Sequence, residues 1–154
     1  MKEIASAVFE AVSWVRSMYT ANELKILAAG SALGACFSFA VGGMDKQVWA
    51  LVFFAIADYV TGWWAACKYK QVSSRVGIKG MFKKVAIFAG VAVAYWADVA
   101  MGIDTLRSMA LFGFSLVEVC SLLENIDRIG YGQYIPAFLR DKLAQIKKDK
   151  GVKM

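Results

Sequence analysis

The 154-residue chain has room for one domain, and 59% of it is apolar against 19% charged, where soluble proteins hold about 45–50% and about 25%. Five Trp, six Tyr and ten Phe suit bilayer interfaces, so the composition points to an integral membrane protein. The net charge of +6 lies between apolar runs, which favours anionic lipid headgroups over nucleic acid as a partner, and the absence of His removes the commonest general base and metal ligand.

Residues 3–20, within an N-terminal segment 1–22, read as an amphipathic helix. Ile4, Val8, Val12, Val15 and Tyr19 recur at three- and four-residue steps, while Glu3, Glu10 and Arg16 interrupt the other faces. Such a helix lies on a membrane or packs on the loops beside it. No cleavable signal is evident, since charges are scattered through this stretch and no long apolar core is present.

Residues 26–43 form the first expected span, about 27 Å long as a helix against a hydrocarbon thickness of about 30 Å. Gly30, Gly34, Ser38 and Gly42 repeat every four residues on one face. This small-residue stripe admits a second backbone, from another copy or from the same chain. A polar turn precedes the second span, 48–66, which ends in the pair Trp63-Trp64. Ala55, Asp58, Thr61, Gly62 and Ala65 share a small or polar face there. The Asp58 carboxylate costs about 3 kcal/mol at mid-membrane on insertion scales, which makes it a functional candidate.

Residues 67–84 read as a basic loop. It carries Lys68, Lys70, Arg75, Lys79, Lys83 and Lys84 with no acid, and Ser73-Ser74, Gly77 and Gly80 are expected to break regular structure. These six cations are expected to bind lipid phosphates and to fix orientation. The third span covers 85–103. Ala86, Gly90, Ala94 and Asp98 repeat every four residues, a second close-packing stripe ending in an acid. The fourth covers 106–123. Arg107 can snorkel to the interface, and Glu118, Ser121, Leu122 and Asn125 share a face, so this segment either spans or lies re-entrant or interfacial. After a Gly- and Tyr-containing turn around Pro136, residues 137–154 read as a basic helix on the anionic leaflet.

Four spans place both ends on one side. Sixteen of the eighteen basic residues then lie there, leaving Lys46 and Arg107 opposite, which favours termini inside. The expected architecture is all-α: a single membrane domain, 1–154, of about four transmembrane helices. Asp58, Asp98 and Glu118 fall on three of them. Each must face protein, water or a basic partner, either joining helices in a compact bundle or lining a wet lumen once copies assemble. No His, Ser-Lys or Cys-His pairing accompanies them, and Cys36, Cys67 and Cys120 are far apart with no metal or redox spacing. The chain is therefore not expected to be an enzyme or to hold a cofactor.

One ordered set of residues carries a family resemblance. Its first block is Asp58-x-x-Thr61-Gly62, Ala66, Lys68, Ser73-Ser74, Gly77, Gly80 and Lys83-Lys84. Its second is Asp98, Glu118-x-x-Ser121-x-x-Glu124-Asn125, Gly130 and Pro136. Over roughly residues 55–140 the sequence resembles the toxin-secretion/phage-lysis holins of the holin 4 type. The resemblance implies a protein of the bacterial cytoplasmic membrane that self-associates into a lesion and lets a murein hydrolase, or in some relatives a toxin, cross. By position it makes Asp58, Thr61, Gly62, Glu118, Ser121, Glu124 and Asn125 candidates for helix association or lumen lining, with Asp98 beside them. The rival readings are a small oligomeric ion channel or transporter and a membrane anchor.

Overall fold

The structure is a computed structural model and describes residues 2–70, 73–141 and 145. The side chains of Glu3, Val15 and Arg75, and most of the basic segment 137–154, lie outside the described residues. The chain forms two compact units, Met1–Ala40 and Val41–Met154.

In the first unit, helix α1 (Lys2–Met18) is followed by α2 (Ala21–Val41). A reciprocal cap sets the start of α2. The Thr20 backbone N–H donates to Glu23 Oε2 at 2.7 Å, and the Glu23 N–H donates back to Thr20 Oγ1 at 3.4 Å. This satisfies two end-of-helix donors and starts the helix before residue 26, the expected start. Within its own unit, the Gly30 and Gly34 face of α2 meets no neighbour.

The second unit is built on α3 (Lys46–Lys68), α4 (Ser74–Met101) and α5 (Leu106–Ile126). Asp45 starts α3, its Oδ1 accepting the Gln47 and Val48 N–H groups at 3.1 and 2.9 Å. Gly102 ends α4 in the left-handed conformation, φ 68°, which only glycine adopts without strain. Beyond α5 the chain widens into a π turn (Asp127–Tyr131), broken at Gly130 with φ 103°, and then tightens into a 3-10 turn (Gly132–Tyr134). Residues 137–141 are helical again.

The main interface is α3 on α5; α4 packs on α5 and scarcely touches α3. Asp45 pairs with Arg107, Gly62 meets Asn125 and Lys68 meets Ile129, so α3 and α5 run parallel. Lys84 pairs with Glu118, Gly90 meets Phe114 and Asp98 meets Leu106, so α4 runs antiparallel to α5. The core is narrow: Val48, Leu51, Ala55, Ala65, Ile87, Val91, Leu111 and Ile129, with Asp98 and Glu118 buried among them. Large apolar side chains such as Trp49, Phe53, Trp63, Val93 and Phe112 point outward, as a lipid solvent requires.

Four helices are long and apolar enough to cross a membrane: Ala21–Val41, Lys46–Lys68, Gly77–Met101 and Leu106–Tyr134. Segment 106–123, which could have lain re-entrant, is part of a continuous helix. The loop expected over 67–84 is corrected. The chain is helical again from Ser74, so Lys79, Lys83 and Lys84 belong to α4. Gly77 and Gly80 do not break the helix; both face Tyr59, which a Cβ at either position would meet only at about van der Waals distance, 3.9 Å. Ile78, Met81, Phe82 and Val85 continue an apolar pattern at helical spacing through this stretch.

Candidate functional site

The helical run from Ser74 turns Lys84 into the bundle, where its ammonium donates to both Asp58 of α3 and Glu118 of α5. The side chains of Asp58 and Lys84 are each 13% exposed and that of Glu118 is fully buried. Lys84, expected among lipid-facing cations, is therefore shared between the two acids. Lys83 lies 3.3 Å from Glu118 Oε1 and donates to Ser121 Oγ at 3.3 Å. Its approach to Oε1 is within ion-pair distance but lacks hydrogen-bond geometry, so that oxygen has no hydrogen-bond partner among the described residues. It is held by charge alone.

Asn125 closes the other flank. Its Nδ2 donates to Asp58 Oδ1 at 2.9 Å and to the Asp58 carbonyl at 3.2 Å. The approach needs Gly62, because a Cβ there would stand 3.3 Å from Asn125 Nδ2. Thr61 donates its hydroxyl to the Ala57 carbonyl at 2.8 Å and lies 3.4 Å from Asn125 Nδ2. Asp58 sits about 18 Å along α3 from its start, near the middle of a helix long and apolar enough to cross a membrane.

The geometry thus brings together Asp58, Thr61, Gly62, Glu118, Ser121, Asn125, Lys83 and Lys84. Glu124 lines the adjoining cleft. Asp98 is elsewhere: its carboxylate accepts the Leu106 and Arg107 backbone N–H groups at 2.9 and 2.8 Å, capping α5. Arg107 is held at the turn that precedes α3. Its guanidinium donates to the carbonyls of Val41 and Gly43, at 2.6 and 3.2 Å, and to Asp45 Oδ2 at 2.6 Å. Burial raises the Asp45 carboxyl, but the Val48 N–H, Arg107 and the Gln47 N–H outweigh it and hold the carboxyl below its ordinary value. Lys68 donates to the Ile129 carbonyl and Tyr69 to that of Arg128 at 2.8 Å, satisfying groups freed by the turn after α5. In the second stripe Gly90 meets the Phe114 ring of α5, while Ala86 is exposed and Ala94 half-buried.

Sequence reasoning missed Lys83 and Lys84 as partners of the acids. The signal was the apolar periodicity that carries α4 through them. Chemically the cluster is two ammonium groups answering two carboxylates. Desolvation nearly cancels the gain from such a buried set, but removing one member leaves an uncompensated charge, at a cost of about 3–5 kcal/mol. The set therefore specifies how three helices meet. Among the described residues no group of His, Cys, Asp and Glu could hold a metal ion, and all three cysteines are free.

Residues 35–148 match the bacteriophage holin family. The chain is 39% identical over 98 residues to an uncharacterized protein of Listeria monocytogenes, a match covering 63% of this chain and 70% of the relative. It is 32% identical over 123 residues to an uncharacterized protein of Clostridium perfringens, covering 79% and 90%. It is 32% identical over 108 residues to a Bacillus phage phi105 protein named a probable holin, covering 70% and 78%. No solved structure matches the chain. With the match spanning α3, α4, α5 and their charged cluster, and with four helices able to cross a bilayer, the chain belongs to the bacteriophage holin family and is a multi-pass protein of the bacterial cytoplasmic membrane.

Proposed function

We propose that the protein is a phage or prophage holin that self-associates in the host membrane into a lesion, through which a murein hydrolase, or a toxin, leaves the cytoplasm. Both termini lie inside, where sixteen of eighteen basic residues would then be found. The observation that carries the mechanism is the charge-balanced set Asp58, Glu118, Lys84 and Lys83 between three spans. Closed, it lets a polar set rest in hydrocarbon. When copies assemble, separation of α4 from α3 and α5 turns the same groups toward water, where their desolvation cost disappears. Asp58, Thr61, Gly62, Glu118, Ser121 and Asn125 then act as helix-association or lumen residues. Gly30, Gly34 and Ser38 on α2 offer a close-packing face to a second copy. Lys68, Lys70, Arg75 and Lys79 anchor the cytoplasmic side.

The test is controlled expression in bacteria with a co-expressed cytoplasmic murein hydrolase, following growth, membrane potential and hydrolase release. Abrupt depolarisation, with lysis only when the hydrolase is present, is the expected outcome. Slow depolarisation with the hydrolase retained would mean a selective channel, and an intact potential at high membrane expression would mean an anchor.

A further inference from the structure

Beside the charged cluster lies a cleft of about 530 Å³, open between α3 and α4 near their connection. We propose that it holds the headgroup of a zwitterionic, ethanolamine-type phospholipid. The inference rests on membrane residence and not on lysis.

The volume falls within the about 300–1,000 Å³ of small-ligand sites. The cleft exists because α3 and α4 scarcely touch. Gly77 and Gly80 add no side chain on the α4 wall, where a Cβ would already meet Tyr59 at 3.9 Å. Tyr59, Trp63 and Tyr69 line it; Trp63 and Tyr69 lie toward the end of α3, where aromatic side chains suit the headgroup level, and Tyr59 sits deeper, beside Asp58.

The charges select the ligand. Lys84 is spent on Asp58 and Glu118, and Lys83 answers Glu118 while remaining 46% exposed. Among the described lining residues that leaves Glu124 and Arg128, one helical turn apart. Among the described residues neither forms an ion pair. Tyr69 holds the Arg128 backbone at the mouth. A cleft offering one free carboxylate and one free guanidinium fits a dipolar ligand. The phosphate lies against Arg128 and Lys83, and the ammonium donates to Glu124. A purely anionic headgroup would set its charge against Glu124 with nothing to offer it. A choline headgroup carries the positive charge but no N–H to donate.

The test uses the full chain purified in detergent and stripped of lipid. It is offered phosphatidylethanolamine, phosphatidylcholine and phosphatidylglycerol with matched acyl chains, and retained lipid is read by native mass spectrometry. Phosphatidylethanolamine should be retained about fivefold over either competitor, the ratio of one partly screened ion pair. Glu124→Gln should bring it down to the phosphatidylcholine level. Arg128→Gln, on an exposed side chain, should weaken both zwitterionic lipids alike with helix content unchanged. Equal retention of all three, a preference for phosphatidylglycerol, or an ethanolamine preference that survives Glu124→Gln would overturn the inference. A chain that lyses cells without selecting phosphatidylethanolamine overturns this inference alone. One that selects it without lysing cells overturns only the proposed function.

Discussion

The carboxylate of Asp98, near the end of α4, accepts the backbone N–H of Arg107, in the first turn of α5, at 2.8 Å. It accepts the Leu106 N–H as well, and Thr105, the residue preceding α5, makes no side-chain cap of its own. An acid that reads as a costly intramembrane charge is therefore a helix cap supplied across a turn. It meets the positive end of the α5 dipole. Asp98→Ala should lower stability by about 1–2 kcal/mol, and Asp98→Asn should lose less, because the amide oxygen still accepts one bond. Unfolding in mixed micelles titrated with a denaturing detergent measures both.

Lys84 is the hinge of the central cluster. Lys84→Met should cost about 3–5 kcal/mol by leaving Asp58 and Glu118 without their shared cation. The triple variant Asp58→Asn, Lys84→Met, Glu118→Gln should recover most of that loss, since no unpaired charge is left buried. Strict additivity of the three single changes in the same unfolding assay would mean that the groups do not act as one set.

The cluster also predicts timing under the lysis reading. Lys84→Met should bring lysis forward relative to the parent chain at equal membrane expression, because the closed bundle is less favoured. The time from induction to loss of membrane potential is the measurement. Unchanged timing would separate the cluster from the trigger.

Gly42 has φ 79°, and a Cβ there would stand 2.3 Å from the Tyr95 ring. Gly42→Ala combines left-handed strain with overpacking and should cost about 2–4 kcal/mol. Gly42→Ala combined with Tyr95→Ala should recover the steric share but not the strain. Comparing the two variants by unfolding tells the contributions apart.

Asp45 gives a pH dependence with a definite sign. Its carboxyl is held below its ordinary value, so the native state favours the charged form. The stability it contributes is complete above about pH 4, the ordinary aspartate value, and is lost as pH falls through the lowered folded value. Asp45→Asn keeps a helix-capping oxygen but loses the charge opposite Arg107. It should be less stable than the parent at pH 6, and the gap should close as the medium is acidified past the folded value. The gap is small, because the Asp45 side chain is 45% exposed and solvent screens the pair.

Much of the architecture was legible in the chain itself. Apolar runs of membrane-spanning length place the four helices, since a helix satisfies its backbone in lipid within one segment. The acids at 58, 98 and 118 stand out because a charge inside such a run must have a partner. The partner of each is a different matter. Lys84 is 26 residues from Asp58 and 34 from Glu118, and no local pattern links them. Glycines at 77 and 80 read as breaks because propensity alone disfavours them in a helix, whereas the helical spacing of Ile78, Met81, Phe82 and Val85 accompanies an α4 that runs through both. Asp98 became a cap, and Arg107 a clamp on the α2–α3 turn, only when α5 folded back beside α4. By itself the sequence determined which segments enter the membrane, because transfer into hydrocarbon depends on the composition of each segment. The tertiary structure alone decided which charges neutralise one another, because pairing depends on how three helices meet at one depth.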